Sequence, residues 1–171
     1  MSSKKNANNT VLQTLQIGWI TAGTLDATAA EADVALAVTE RDYDTNKALD
    51  NIVAWKVPYG INAAEIRFLL STNNADVDID VWLGRRDKDG DASLVRAATL
   101  DVICGNGDVG DNKAADTITI SNEAWITSMK SVVPGAEHEA RLVLDLCGYD
   151  LIVFHGYGTF DEDCIVQCSG Y

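Results

Sequence analysis

The sequence predicts an all-β fold: an antiparallel β-sandwich, jelly-roll-like, in a single domain over residues 11–171 behind a flexible polar N-terminal arm over residues 1–10. Three observations predict it. Short runs alternate apolar and polar residues along most of the chain, as strands with one buried face do. Turn-forming residues separate these runs at intervals of roughly 8–12 residues. No segment keeps a helical period long enough to supply the crossover helices of βαβ units. Val77-Asp78-Ile79-Asp80-Val81-Trp82-Leu83 is the clearest run, with aliphatic residues at its odd positions and Asp, Asp and Trp at its even ones.

Candidate strands cover residues 11–20, 33–39, 50–57, 64–71, 76–84, 93–104, 115–121, 140–147, 149–155 and 163–168. Pro58-Tyr59-Gly60 stops the third, and Asn73-Asn74 separates the fourth from the fifth. Asp87-Lys88-Asp89-Gly90-Asp91 reads as a hairpin loop, and Gly148-Tyr149-Asp150 as a tight turn. Two short helices are expected: one over the Ala-rich residues 26–32, and one opening near Ser121, with Trp125 and Met129 four apart on one face. The predicted core comprises Trp55, Val57, Ile66, Phe68, Val77, Ile79, Val81, Leu142, Leu144 and Leu146, the inward positions of their strands.

Composition bounds the function. With 171 residues and 47% apolar residues, the chain is long enough to bury a full core. Its longest apolar runs, such as Leu151-Ile152-Val153-Phe154, fall far short of the roughly 18 residues that cross a bilayer. The polar start, Met1 to Thr10, has no apolar signal core, so synthesis and folding in a cytoplasm are expected. A net charge of −13, from 26 acids against 13 bases, argues against nucleic-acid and anionic-membrane partners. The four cysteines, at 104, 147, 164 and 168, are expected as reduced thiols. On a strand, Cys164 and Cys168 would share a face about 13 Å apart, too far to bridge.

Candidate sites are few. Gly105-Asn106-Gly107-Asp108-Val109-Gly110 has dinucleotide-fingerprint spacing, but a strand follows where a helix is needed, and Asp108 and Asp111 would repel phosphate. It reads as a surface loop. Asp87, Asp89 and Asp91 take the first three ligand positions of a calcium loop. Ala92 and Ala98 stand where that loop needs Gly and a bidentate Glu, so a solvated hairpin tip is the preferred reading, with calcium at these three aspartates the alternative. No other cofactor is expected. Asp76, Asp78 and Asp80 share the outward face of one strand, with Glu65 and Arg67 on the preceding strand as candidate partners. Trp82 lies on that same face and needs cover, from another chain, a sugar or the N-terminal arm. His138 and His155 lack ligand spacing, Cys104 has no group beside it to lower its pKa, and no catalytic motif assembles. The expectation is therefore not an enzyme.

The runs Trp55-Lys56-Val57-Pro58-Tyr59-Gly60, Glu65-Ile66-Arg67-Phe68 and Asp80-Val81-Trp82-Leu83-Gly84-Arg85-Arg86 resemble small β-sandwich proteins of tailed-bacteriophage virions. So do Ala98-Thr99-Leu100-Asp101-Val102 and Asp116-Thr117-Ile118-Thr119-Ile120. The resemblance spans roughly residues 50–155 and implies a capsid decoration or accessory protein without catalytic residues, located in the virion. Its partners would be viral shell proteins and further copies of itself, with Lys4, Lys5 and Trp82 as candidate contacts. The rival reading is a carbohydrate-binding β-sandwich module using Trp82, Tyr59, Tyr157 and the Asp87/Asp89/Asp91 loop.

Overall fold

A computed structural model describes residues 17–32, 40–42, 51–70, 75–104, 117–121, 126–132, 138–160 and 163–171. The arm with Lys4 and Lys5, the candidate strand 33–39, the glycine loop 105–110 and Trp125 lie outside the described residues. The described chain is built of strands β1 (Ile17–Leu25), β2 (Glu40–Asp42), β3 (Ile52–Lys56), β4 (Ala63–Leu70), β5 (Ala75–Arg86), β6 (Ala92–Cys104), β7 (Thr117–Ser121), β8 (Ile126–Val132), β9 (His138–Asp145), β10 (Leu151–Phe160) and β11 (Cys164–Gly170). One short helix, α1 (Ala27–Ala32), accompanies them.

The strands form two antiparallel sheets. One has five strands in the order β1-β11-β4-β9-β8. The other has six: β2-β6-β5-β10-β3, with β7 also paired to β6. β2 pairs with residues 93–95 of β6 and β7 with residues 99–103, so both occupy the edge that β5 leaves open. With β2, β7 and β8 set aside, the sheets read β1-β11-β4-β9 and β3-β10-β5-β6. Numbered along the chain, that is 1-8-3-6 against 2-7-4-5, the strand order of an eight-stranded jelly roll.

The core between the sheets follows the alternation in the sequence. Ala64, Ile66, Phe68 and Leu70 of β4 point inward, while Glu65 and Arg67 point out. All ten core residues expected from the sequence are buried in one cluster. Phe68 from the five-stranded sheet meets Phe154 from the six-stranded sheet edge to face, with ring centres 5.9 Å apart. Helix α1 packs on β10 and buries Ala30. Its start is fixed by Asp26, whose carboxylate accepts the Ala29 N–H at 2.9 Å as an N-cap. The buried Asn51 holds that start to β10, accepting the Asp26 N–H at 2.8 Å and donating to the Gly156 carbonyl at 3.3 Å.

Three expectations are corrected. The helix near Ser121 is not formed over Met129: residues Ile126–Val132 are strand β8, because they pair with β9 from Leu144 to Glu139. Tertiary pairing overrides the local spacing. Glu65 and Arg67 do not serve the aspartates of β5, since β4 and β5 lie in different sheets. By contrast, the expected tight turn is formed, with the Tyr149 N–H bonded to the Leu146 carbonyl at 2.7 Å, and it carries the chain from one sheet to the other. Finally, β5 does not keep a wet face from Asp80 onward: Asp80, Trp82 and Gly84 are buried on its outer side. The physical reason is a second apolar cluster there, formed by Trp82, Ala92, Leu94, Leu151 and Val153 with Ile52 and Ala54 against it.

Candidate functional site

Two places collect polar chemistry. The first is the end of the sandwich where three connections meet. Leu151 of β10 pairs with both Lys56 and Gly84, so the β3–β4 loop, the β5–β6 hairpin and the β9–β10 turn share one end. Backbone bonds knit them: Asp150 N–H to the Gly84 carbonyl at 3.0 Å, Val57 N–H to the Asp150 carbonyl at 2.9 Å, and Leu146 N–H to the Asn62 carbonyl at 2.9 Å. Side chains add to this. Arg85 donates from Nε and Nη2 to the Gly148 carbonyl, at 3.3 and 3.1 Å. The Arg86 N–H reaches Asp150 Oδ1 at 2.8 Å, and its guanidinium pairs with the same carboxylate at 3.3 Å. Gly148 has φ +83°, and a Cβ there would sit 2.8 Å from Arg85 Nη2, so the clamp needs glycine.

The candidate calcium residues lie on this end. Asp87 Oδ1 accepts the N–H groups of Asp89 at 2.8 Å and Asp91 at 3.1 Å, which makes the carboxylate the internal brace of its own loop. Lys88 pairs with Asp89 at 3.0 Å. No group of three or more His, Cys, Asp or Glu side chains is placed to hold a metal ion among the described residues. Beside the loop is an open cavity of about 530 Å³ lined by Arg85, Asp87, Asp91, Ala92, Ser93, Val95 and Tyr149. A smaller one of about 290 Å³ runs from Tyr149 to the Pro58–Asn62 turn.

The second place is the outer face of the six-stranded sheet. Asp80 there has no solvent exposure. Its Oδ1 accepts the Thr99 hydroxyl at 2.7 Å, and its Oδ2 pairs with Arg96 at 3.5 Å. Thr99 and Arg96, not the β4 residues, are therefore its partners. A bulge at Ala97, between the pairs Val81–Ala98 and Trp82–Arg96, sets Arg96 beside Trp82, with the guanidinium 5.7 Å from the ring. His155 is fully buried next along β10, its ring 5.5 Å from that of Tyr157. Burial raises the pKa of Asp80 above the ordinary carboxylate value, with Thr99, Arg96 and His155 pulling it back. Burial, then the charges of Asp80 and Asp78, push the Tyr157 phenol well above its usual range. Among the described residues the cluster is a buried carboxylate that accepts from a hydroxyl and pairs with a guanidinium.

Trp82 itself is fully buried within the chain. As a candidate partner contact it is corrected, because packing against Leu94, Leu151 and Val153 leaves it no surface to offer. The aromatic that does sit on an outer face among polar groups is Trp19, on the five-stranded sheet. Arg67 lies 4.0 Å and Arg141 5.5 Å from its ring centre, and Arg141 also pairs with Glu65 at 3.2 Å. No sequence pattern marked this stack, since β1, β4 and β9 become neighbours only through the jelly-roll order.

The thiols divide by environment. Cys164 and Cys168 are buried on the inward face of β11, and burial pushes the Cys168 thiol up to about 12. Cys147 is exposed, at φ 46°, and its pKa is raised by local desolvation and by the adjacent Asp145. No helix among the described residues is long and apolar enough to cross a membrane. Comparison with family models, with characterised proteins and with solved structures finds no match to the chain.

Proposed function

We propose that the chain is a non-enzymatic structural protein of a viral shell, a decoration or accessory subunit that binds the outside of the particle as a homo-oligomer. The observation that carries this reading is the eight-strand jelly-roll order, an architecture built into viral shells as well as lectins and cupins. Three further features agree with this reading. A net charge of −13 is repelled by packaged nucleic acid and favours the exterior. The Asp80 carboxylate is buried and held by Thr99 and Arg96. The rival sugar module, in the form the sequence suggested, loses two of its three aromatics, because Trp82 and Tyr157 are buried.

The test is to fractionate particles from the cells that make the chain on a density gradient. The chain should band with filled and empty shells alike and resist nuclease treatment of the particles. Its absence from every particle band would overturn the proposal.

A further inference from the structure

We propose that the loop end of the sandwich is a binding site for neutral carbohydrate, centred on Tyr149 and fronted by Tyr59. This goes beyond the shell-protein reading and does not depend on it.

Tyr59 carries the first part of the argument. The Ile61 N–H bonds back to the Pro58 carbonyl at 3.3 Å, and Gly60 has φ +91°, the geometry of a type II turn with Tyr59 at its second position. The side chain is 100% exposed. A tyrosine with no packing contributes nothing to the core, yet here it is held out by a turn in which Pro58 fixes φ and Gly60 supplies the positive φ. Tyrosine has an apolar ring face and a polar tip, a combination suited to contacts that are apolar at one end and wet at the other.

The cavity carries the second part. Its volume of about 530 Å³ lies within the roughly 300–1,000 Å³ of small-ligand sites. Asp87 and Asp91 contribute carboxylate acceptors, Ser93 a hydroxyl and Tyr149 a ring. A sugar has the complementary chemistry: adjacent hydroxyls that donate to carboxylates, and a C–H face that lies on an aromatic ring. Tyr149 lines both this cavity and the smaller one beside Tyr59, so the two make one path across the end of the fold. That path has room for more than one sugar ring.

Rigidity carries the third part. Arg85 locks the Gly148 carbonyl, Arg86 locks Asp150, and Asp87 braces its own loop. Walls already fixed spare a ligand the ordering of loops that weakens binding. Arg85 is outnumbered in the cavity lining by the carboxylates of Asp87 and Asp91, Arg86 is paired with Asp150, and the chain carries −13, so an anionic glycan meets net negative charge. Neutral sugars are the class that fits.

The experiment is saturation-transfer NMR and calorimetry on the full chain with maltohexaose, cellohexaose, chitohexaose and 3′-sialyllactose. At least one neutral oligosaccharide is expected to bind, and sialyllactose is expected to bind at least tenfold more weakly. Tyr59→Ala should weaken binding at least tenfold with an unchanged melting temperature, since the side chain packs on nothing. Tyr149→Phe, which keeps the ring, should retain most of the affinity. No binding of any neutral probe at 10 mM would overturn the proposal, and so would binding that Tyr59→Ala leaves unchanged. Loss of the particle association with sugar binding intact would sink only the shell-protein reading.

Discussion

Phe68 and Phe154 tie the two sheets together, and their removal tests the sandwich itself. Phe68 comes from β4 and Phe154 from β10, both are fully buried, and their rings meet edge to face at 5.9 Å. Replacing Phe68 by Ala removes a buried aromatic and leaves a cavity, which costs about 3–5 kcal/mol. The same holds for Phe154. An edge-to-face pair contributes about 0.5–1.5 kcal/mol beyond its buried area. The double variant should therefore be less destabilised than the sum of the singles by about that amount, because the pair is lost only once. Urea unfolding followed by tryptophan fluorescence gives the four free energies, with equal slopes required for the comparison. If the alanine double variant does not fold, the cycle is run with leucine at both positions. A coupling of zero, with both singles costly, would mean that the rings do not touch and that the sheets pack in another register. A cost below about 1 kcal/mol for Phe68→Ala would place the residue outside a core altogether.

The remaining expectations are more local. Asp80 has its pKa raised by burial, so its stabilising contribution is complete below the unfolded value of 3.8 and is lost as pH rises through the folded value. Asp80→Asn, neutral throughout, should gain melting temperature relative to the native chain between about pH 3 and pH 7; the opposite slope would show Thr99 and Arg96 outweighing burial. Cys147 is exposed, but its thiolate is disfavoured in part by Asp145. Asp145→Asn should speed its labelling by a disulfide reagent at neutral pH, and an unchanged rate would remove the carboxylate from the account. Millimolar calcium should leave the melting temperature unmoved in both the native chain and Asp89→Ala, since Asp87 already braces the loop; a rise of many degrees, abolished by Asp89→Ala, would establish a calcium site. Deleting residues 1–10, with Lys4 and Lys5, should weaken shell binding while melting is unchanged; equal binding would eliminate the arm's role.

Most of the fold was legible because alternation fixes which side chains face in. The runs Ala64–Leu70 and Val77–Leu83 state their inward register outright, and every core residue read from them is buried. What was not legible is the sheet to which each strand belongs. Alternation is the same in both sheets, so Glu65 and Arg67 were natural partners for the β5 aspartates until the jelly-roll order moved β4 to the other sheet. The double burial of β10 did leave a trace: Leu151-Ile152-Val153-Phe154 is continuous rather than alternating, as strands covered on both faces are. On β5 the same burial is disguised, since Asp80 reads as solvent-facing and is instead paired with Thr99 and Arg96. The acidic loop was visible as sequence, but that Asp87 spends one oxygen on its own backbone is a matter of turn geometry. Tyr149 stood in the sequence as a turn residue, and only folding gives it a cavity on either side.

The outer cluster on the six-stranded sheet decides where recognition can evolve. In a two-layer sandwich the outer faces are ordinarily available to partners, but here Trp82, Leu94, Leu151 and Val153 make one of them a second core. A substitution at Trp82 removes a fully buried side chain at a cost of about 3–5 kcal/mol, a large share of a domain's net stability. A substitution at Tyr59 removes nothing that packs. Selection on binding can therefore work at the loop end almost free of the constraint that holds the β5 and β10 faces fixed, as it does where loops are carried on a rigid scaffold. The five-stranded sheet is intermediate: Ile20 and Ile165 are exposed there at 41% and 39%, while Trp19 is held beneath Arg67 and Arg141. A shell contact through that face would have to use the stack as it stands, because changing Trp19 strips two guanidinium groups of their platform. Variation confined to Tyr59, Asp89 and Ser93, with Trp19, Trp82 and Asp80 held constant among relatives, is the pattern this division of labour demands.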